Sequence, residues 1–154
     1  MNVNESKAFV CVHATHLTVL KNITNKESGI DKIIPGMVID DFLFDPCGYS
    51  MNGVAKDGCY MTIHITPERS CSYVSFESNV PVSSYNEVIA RVLQAFRPAK
   101  FVLTVFATPD SPGASAARQL KKFPALGAYS PLDTQHCRFS GYELHYALYA
   151  KFPS

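Results

Sequence analysis

The sequence lacks several features that would assign it at once to a class of protein. No apolar run approaches the roughly 18 residues that a transmembrane helix requires. The formal net charge is only +1, so neither nucleic acid nor an anionic membrane is indicated as a partner. The five cysteines include no C-x-x-C pair, which argues against a disulfide framework and a zinc site. No basic segment followed by an apolar one opens the chain, so we expect a reducing compartment, the cytosol.

Short apolar segments separated by turn signals dominate what is present, and Lys56–Gly58 and Ser140–Gly141 are predicted to form the turns of two hairpins. The chain has 154 residues, 47% of them apolar, and we expect a single domain over residues 1–154 with its own core. Strands are predicted at 8–12, 37–44, 50–54, 59–65, 71–77, 101–107, 135–139 and 142–151. Helices are predicted at 15–23, 84–96 and 114–122, and an irregular segment at 124–133. Together these elements predict an α+β fold, an antiparallel sheet with helices on one face.

Two segments carry the clearest local patterns. In the strand at 59–65, Met61, Ile63 and Ile65 alternate with polar residues, so His64 should face away from the core. At the start of the longest predicted helix, Ser84 and Glu87 have the spacing of a capping box, which satisfies two backbone amides.

Three ordered motifs identify a family. Phe44–Asn52 has the sequence FDPCGYSMN, Thr62–Glu68 has TIHITPE, and Ser72–Glu77 has SYVSFE. These motifs and their spacing resemble the eukaryotic S-adenosylmethionine decarboxylases, and the match is firm from about Glu27 to Ala107. Motifs of this length in a fixed order are far more specific than a lone glycine pattern. The resemblance covers the C-terminal half of the family.

The resemblance implies a pyruvoyl-dependent carboxy-lyase of spermidine and spermine biosynthesis. Family members cut themselves at a Glu-Ser bond, and the serine becomes a pyruvoyl group that forms a Schiff base with the substrate. Their fold is a four-layer αββα sandwich, and this chain resembles one half of it. The family's cleavage motif, Ser-Glu-Ser-Ser, and its cysteine proton donor belong to the other half. We therefore expect no cofactor intrinsic to this chain and no decarboxylase activity from it alone.

The resemblance also implies roles for particular residues. Phe44 is expected to stack on the adenine of S-adenosylmethionine, and Glu68 to accept both ribose hydroxyls. Ser50 and His64 are expected to assist self-processing, with the imidazole accepting a proton. Glu77 matches a position near the diamine-activator site of animal members.

Phe106 matches a second position near that activator site. An ungapped alignment places Asn4 and Ala8 where the family has carboxylates on the first strand. Those two residues argue against activation by putrescine.

Other interpretations stay open for the same residues. Outside its motif, His64 would more often be a structural histidine, and Phe44 would be a core residue. Glu68 would be a solvated turn residue. His136 and His145 are interpreted as surface residues rather than metal ligands, because no third ligand lies nearby in the sequence.

Three functions follow from these alternatives. The chain is the C-terminal part of a decarboxylase, a non-catalytic paralogue that docks on a full-length enzyme and regulates it, or a decaying duplicate. Expected partners are S-adenosylmethionine and the missing N-terminal half, a full-length homologue or a second copy, with neither nucleic acid nor membrane. The protein partners are expected to dock on the sheet face that no helix covers.

Overall fold

Eight strands form one continuous antiparallel sheet in the computed structural model, which describes residues 8–15, 28–68, 71–82, 84–120 and 126–152. The strands in chain order are β1 Ala8–Thr15, β2 Val38–Leu43, β3 Tyr49–Val54, β4 Tyr60–Thr66, β5 Tyr73–Ser78, β6 Lys100–Ala107, β7 Tyr129–Phe139 and β8 Tyr142–Lys151. Their order across the sheet is β2-β3-β4-β5-β1-β6-β8-β7. The predicted sheet is thereby confirmed.

Hairpins account for most of this order. Strands β2 to β5 follow one another as a meander, and β1 lies between β5 and β6. The turn between β7 and β8 is formed by Ser140 and Gly141, where the φ of 84° at Gly141 suits glycine. The hairpin predicted around these two residues is therefore confirmed.

The helices lie on one face of the sheet. Helix α1 spans Asn86–Phe96, helix α2 spans Pro112–Leu120, and a short 3-10 helix spans Ile30–Lys32. Their buried side chains join those of the strands in one core, whose largest fully buried members are Tyr49, Tyr85, Tyr149, Phe76, Phe101, Ile30, Ile33, Met51, Met61, Ile63, Ile89 and Leu103. We call this side of the sheet the helix face.

The opposite side of the sheet, which we call the open face, is not covered by any described element. On β4, Met61, Ile63 and Ile65 are buried on the helix face, whereas Thr62 and His64 lie on the open face, as predicted. One sheet with one helical layer corresponds to half of the four-layer sandwich that the family resemblance implied. No helix among the described residues is long and apolar enough to cross a membrane.

Several local predictions need correction. Helix α1 begins at Asn86 rather than Ser84, and the reciprocal capping box does not form. Ser84 Oγ does accept a hydrogen bond from the Asn86 amide at 3.3 Å, but Glu87 pairs with Arg91 four residues later. The segment predicted as irregular already enters β7 at Tyr129. The helix predicted at 15–23 lies, apart from its first residue, outside the described residues.

Candidate functional site

A serine and a histidine form the centre of the candidate site on the open face. Ser50 on β3 and His64 on β4 are direct cross-strand partners. The Ser50 Oγ and the His64 Nδ1 lie 2.8 Å apart, within hydrogen-bonding distance. The imidazole is exposed, so a group approaching the open face can reach it. The sheet register thus brings together two residues that the sequence places 14 positions apart.

A threonine beside the imidazole indicates which ring nitrogen carries the proton. Thr62 Oγ1 donates its hydrogen to the Met51 carbonyl at 3.1 Å. The same oxygen lies 3.4 Å from the His64 Nε2, where it can then only accept. This favours the neutral tautomer protonated at Nε2, which leaves the Nδ1 lone pair to accept from the Ser50 hydroxyl. The arrangement holds a basic nitrogen and a hydroxyl side by side.

Phe44 lies in the tight connection between β2 and β3. Its amide donates to the Gly48 carbonyl at 2.8 Å, which closes the loop, and its ring meets Phe42 edge-on at a centroid distance of 4.8 Å. Gly48 has a φ of 115°, and a Cβ there would lie 3.6 Å from the Phe44 side chain. Phe44 is 47% exposed, so it is not a core residue.

Glu68 lies just beyond the end of β4, two residues after Thr66. Its residue is exposed, and its main-chain carbonyl accepts a hydrogen bond from Ser72 Oγ at 3.0 Å, which ties the turn to the start of β5. Tyr49 pairs with Ile65, so the Phe44 loop and the Glu68 turn lie at the same end of the sheet. The structure therefore places both residues at the end of the sheet that is nearest to the Ser50–His64 pair.

The two remaining predicted residues lie farther along the open face. Glu77 on β5 is exposed and pairs with Thr62. Phe106 on β6 stacks on Tyr142 at a centroid distance of 4.8 Å with an interplanar angle of 10°. Strand β1 separates their two strands, a spacing of about 9.6 Å between backbones. Glu77 and Phe106 thus share a face without touching one another.

A buried phenol on the helix face, that of Tyr49, supports the strand that carries Ser50. Burial raises the pKa of Tyr49, and the charge of the Asp41 carboxylate together with its hydrogen bond raises it further. The phenol consequently stays protonated and donates to Asp41, which fixes β3 against β2 one residue before Ser50.

A second group of polar side chains was missed by the sequence analysis. His136, Glu143 and His145 place one ligand atom each within 4.8 Å of one another at the β7–β8 edge of the helix face. The interpretation of His145 as a surface residue is wrong, because it is only 1% exposed. Glu143 supplies the third potential ligand atom, which the sequence analysis did not identify. Glu143 and His145 are two residues apart on β8, but only the cross-strand register brings His136 to them, so the complete group could not be predicted from linear spacing.

An antiparallel sheet with helices on one face and a hydroxyl–imidazole pair on the other defines an α+β protein with a polar site on its open face. Comparison with known families identifies the family, because the model of the adenosylmethionine decarboxylase family matches residues 1–150. The chain therefore belongs to the adenosylmethionine decarboxylase family.

Individual relatives agree with this assignment. The chain is similar to the S-adenosylmethionine decarboxylase proenzyme of Drosophila melanogaster, with 50% identity over 125 residues, 80% of this chain and 36% of that protein. It is also similar to the Xenopus laevis proenzyme, with 41% identity over 133 residues, 86% of this chain and 39% of that protein. The chain thus spans less than two fifths of the length of these relatives.

A solved structure shares the fold. The crystal structure of the Trypanosoma brucei AdoMetDC-delta26 monomer superposes with a TM-score of 0.79 at 23% identity. The match covers 95% of this chain and 66% of that chain.

Proposed function

We propose that these residues form the C-terminal part of an S-adenosylmethionine decarboxylase, an enzyme that releases CO2 from its substrate for spermidine and spermine synthesis. The observation that carries the proposal is the Ser50–His64 pair, held at 2.8 Å on the open face of a chain that belongs to this family. The chain acts as one domain, 1–154, and its place of action is the cytosol.

His64 and Ser50 serve self-processing in this proposal. The Nδ1 lone pair accepts the Ser50 hydroxyl hydrogen, so His64 can take up a proton through that hydroxyl from a group that another segment presents to the open face. Ser50 donates its hydrogen bond to that nitrogen and keeps its oxygen beside the same position. Thr62 acts as a positioning residue, because its contact with Nε2 fixes the tautomer.

Phe44 and Glu68 bind the nucleoside part of S-adenosylmethionine. An exposed phenylalanine ring supplies apolar and π contact to adenine, and a carboxylate offers two acceptor oxygens to a pair of ribose hydroxyls. Support comes from their position at one end of the sheet, next to the processing pair. Glu77 and Phe106 are the remnant of an activator site, which we propose does not bind putrescine in this protein.

The pyruvoyl group supplies the electron sink for loss of CO2, and its serine comes from a segment other than these 154 residues. We propose that this segment, the N-terminal half of the family, covers the open face. The half-buried apolar side chains of Phe106, Leu144 and Leu148 on that face suit a second sheet. Decarboxylation therefore requires the partner segment.

The proposal is tested on the protein purified from its natural host. Intact mass and labelling with a carbonyl-reactive probe should find a pyruvoyl group on a second chain that copurifies with these residues or on a longer form of the protein. In that species His64→Ala should block formation of the pyruvoyl group. His136→Ala, a histidine outside the site, is the matched control and should process normally.

Failure of either result separates the alternatives. If only the 154-residue chain is found and no probe label is present, the catalytic proposal is wrong. Copurification with an intact, already processed decarboxylase would instead favour the regulatory paralogue. Normal processing in the His64→Ala variant would remove His64 from the mechanism while leaving the family assignment untouched.

A further inference from the structure

We propose that the β7–β8 hairpin carries a divalent transition-metal site, formed by His136, Glu143 and His145, that takes Zn²⁺. Two imidazoles and one carboxylate are the donor set that zinc accepts with a fourth position left open. The site lies on the helix face at the edge of the sheet, away from the Ser50–His64 pair. It does not depend on the function proposed above.

The hairpin register builds the site from two stacked cross-strand pairs. His136 pairs with His145, and Arg138 pairs with Glu143 two residues along, so all four side chains share one face. The two imidazole rings stack at a centroid distance of 4.5 Å. Beside them, the Glu143 Oε2 lies 3.7 Å from the His136 Nε2 and 3.6 Å from the His145 Nε2.

These spacings are close to those of a coordinated zinc ion. Bonds of about 2.1 Å at tetrahedral angles separate two ligand atoms by about 3.4 Å. The two distances from the Glu143 Oε2 to the imidazole Nε2 atoms exceed this value by only a few tenths of an ångström. The remaining distance, between ligand atoms of the two imidazoles, lies within 4.8 Å. Shortening the distance between the two imidazole nitrogens to this value requires one imidazole to turn. His136 can do so, because it lies on an edge strand and its side chain is 33% exposed.

Burial favours a cation at this place. Glu143 and His145 are 7% and 1% exposed, although their neighbours on the same face of β8, such as Ala147, are apolar. Buried charges in proteins are paired or coordinate metals. The two carboxylate oxygens divide these tasks, since Oε1 contacts Arg138 at 3.0 Å and Oε2 faces both imidazoles.

Arg138 allows metal binding to be distinguished from a purely structural role of the cluster. Its guanidinium lies next to the proposed ion and repels it, but the side chain is 73% exposed and can move into solvent. Removing this positive charge should therefore tighten zinc binding by about three- to tenfold. A purely structural role of the cluster predicts no such gain.

The test titrates the full 154-residue chain with Zn²⁺ at pH 7.5 against a chromophoric chelator. We expect one ion per chain, and Mg²⁺ should not compete. His136→Ala and Glu143→Gln should each weaken binding by at least about tenfold, whereas Arg138→Gln should strengthen it. His64→Ala is the matched control and should bind as the parent does. Circular dichroism of each variant verifies the fold.

Co²⁺ supplies the spectroscopic arm, because exposed thiols such as Cys47, Cys71 and Cys137 also bind metals. A ligand-field spectrum without a thiolate charge-transfer band is expected. Parent-like affinity in both His136→Ala and Glu143→Gln, a thiolate band, or no stoichiometric Zn²⁺ binding would each overturn the proposal.

Discussion

Two buried tyrosines allow one chemical change to be tested with opposite expected signs. Tyr129 is buried and its hydroxyl donates to the Pro98 carbonyl at 2.7 Å. Tyr85 is 1% exposed, and its hydroxyl has no hydrogen-bond partner among the described residues. Replacing either residue by phenylalanine deletes a single oxygen from the same core. The resulting change in the free energy of unfolding therefore reports the hydrogen bond rather than the packing.

The expected magnitudes follow from that difference. Tyr129→Phe loses a buried hydrogen bond and leaves a carbonyl without its donor, so it should destabilise the fold by about 1–2 kcal/mol. Tyr85→Phe removes a desolvated hydroxyl and should stabilise the fold by up to about 1 kcal/mol. Urea unfolding at pH 7.5 measures both, provided that the slope with denaturant is unchanged.

Alkaline pH gives a second measurement on Tyr85. Burial raises the pKa of Tyr85 from 10.0 to about 12. The Tyr85 hydroxyl keeps its proton to a higher pH in the folded state than in the unfolded state. The stability that depends on this proton is therefore complete below pH 10 and is lost as the pH rises from 10 to 12. The full loss amounts to about 3 kcal/mol, and the Tyr85→Phe variant should lack it. Equal destabilisation by both substitutions at pH 7.5, or an alkaline profile of Tyr85→Phe identical to that of the parent, would refute the reasoning.

Three further outcomes are expected. Nitrogen NMR of His64 should show the tautomer protonated at Nε2, and Thr62→Val should shift the population toward the other tautomer while Thr104→Val, a threonine elsewhere on the sheet, leaves it unchanged. The isolated chain should self-associate because of its open face, and a sharp monomeric sedimentation profile would contradict this. The isolated chain should release no CO2 from carboxyl-labelled S-adenosylmethionine, and robust release would show that these residues suffice for catalysis.

Patterns that depend on one strand or one turn could be predicted from the sequence. The alternation along β4 identified its buried side, and the Lys56–Gly58 and Ser140–Gly141 turns marked their hairpins, because each signal is contained in a few consecutive residues. The N-terminus of α1 was placed less well. There, Glu87 pairs with Arg91 one turn along the helix instead of completing the capping box.

The candidate site was predictable only through its motifs. Nothing in the spacing of Ser50 and His64 implies a hydrogen bond, since their contact depends on the register of β3 against β4. The sequence analysis missed the group of His136, Glu143 and His145 because the position of His136 beside the other two depends on the register of β7 against β8. It had no family motif to substitute for the missing register, and so His145 was assigned to the surface.

The two sides of strand β8 are hard to distinguish from the sequence. Glu143 and His145 are buried on the helix face, whereas Leu144 and Leu148 are only partly buried on the open face. A simple rule that apolar residues point to the core would invert this strand. The inversion is tolerated because cross-strand partners pair the buried polar groups, and because leucines on the other side also leave water if a second layer packs there. The partly buried leucines are thus consistent with a sheet that is covered on both faces, whereas the buried glutamate and histidine require their cross-strand partners.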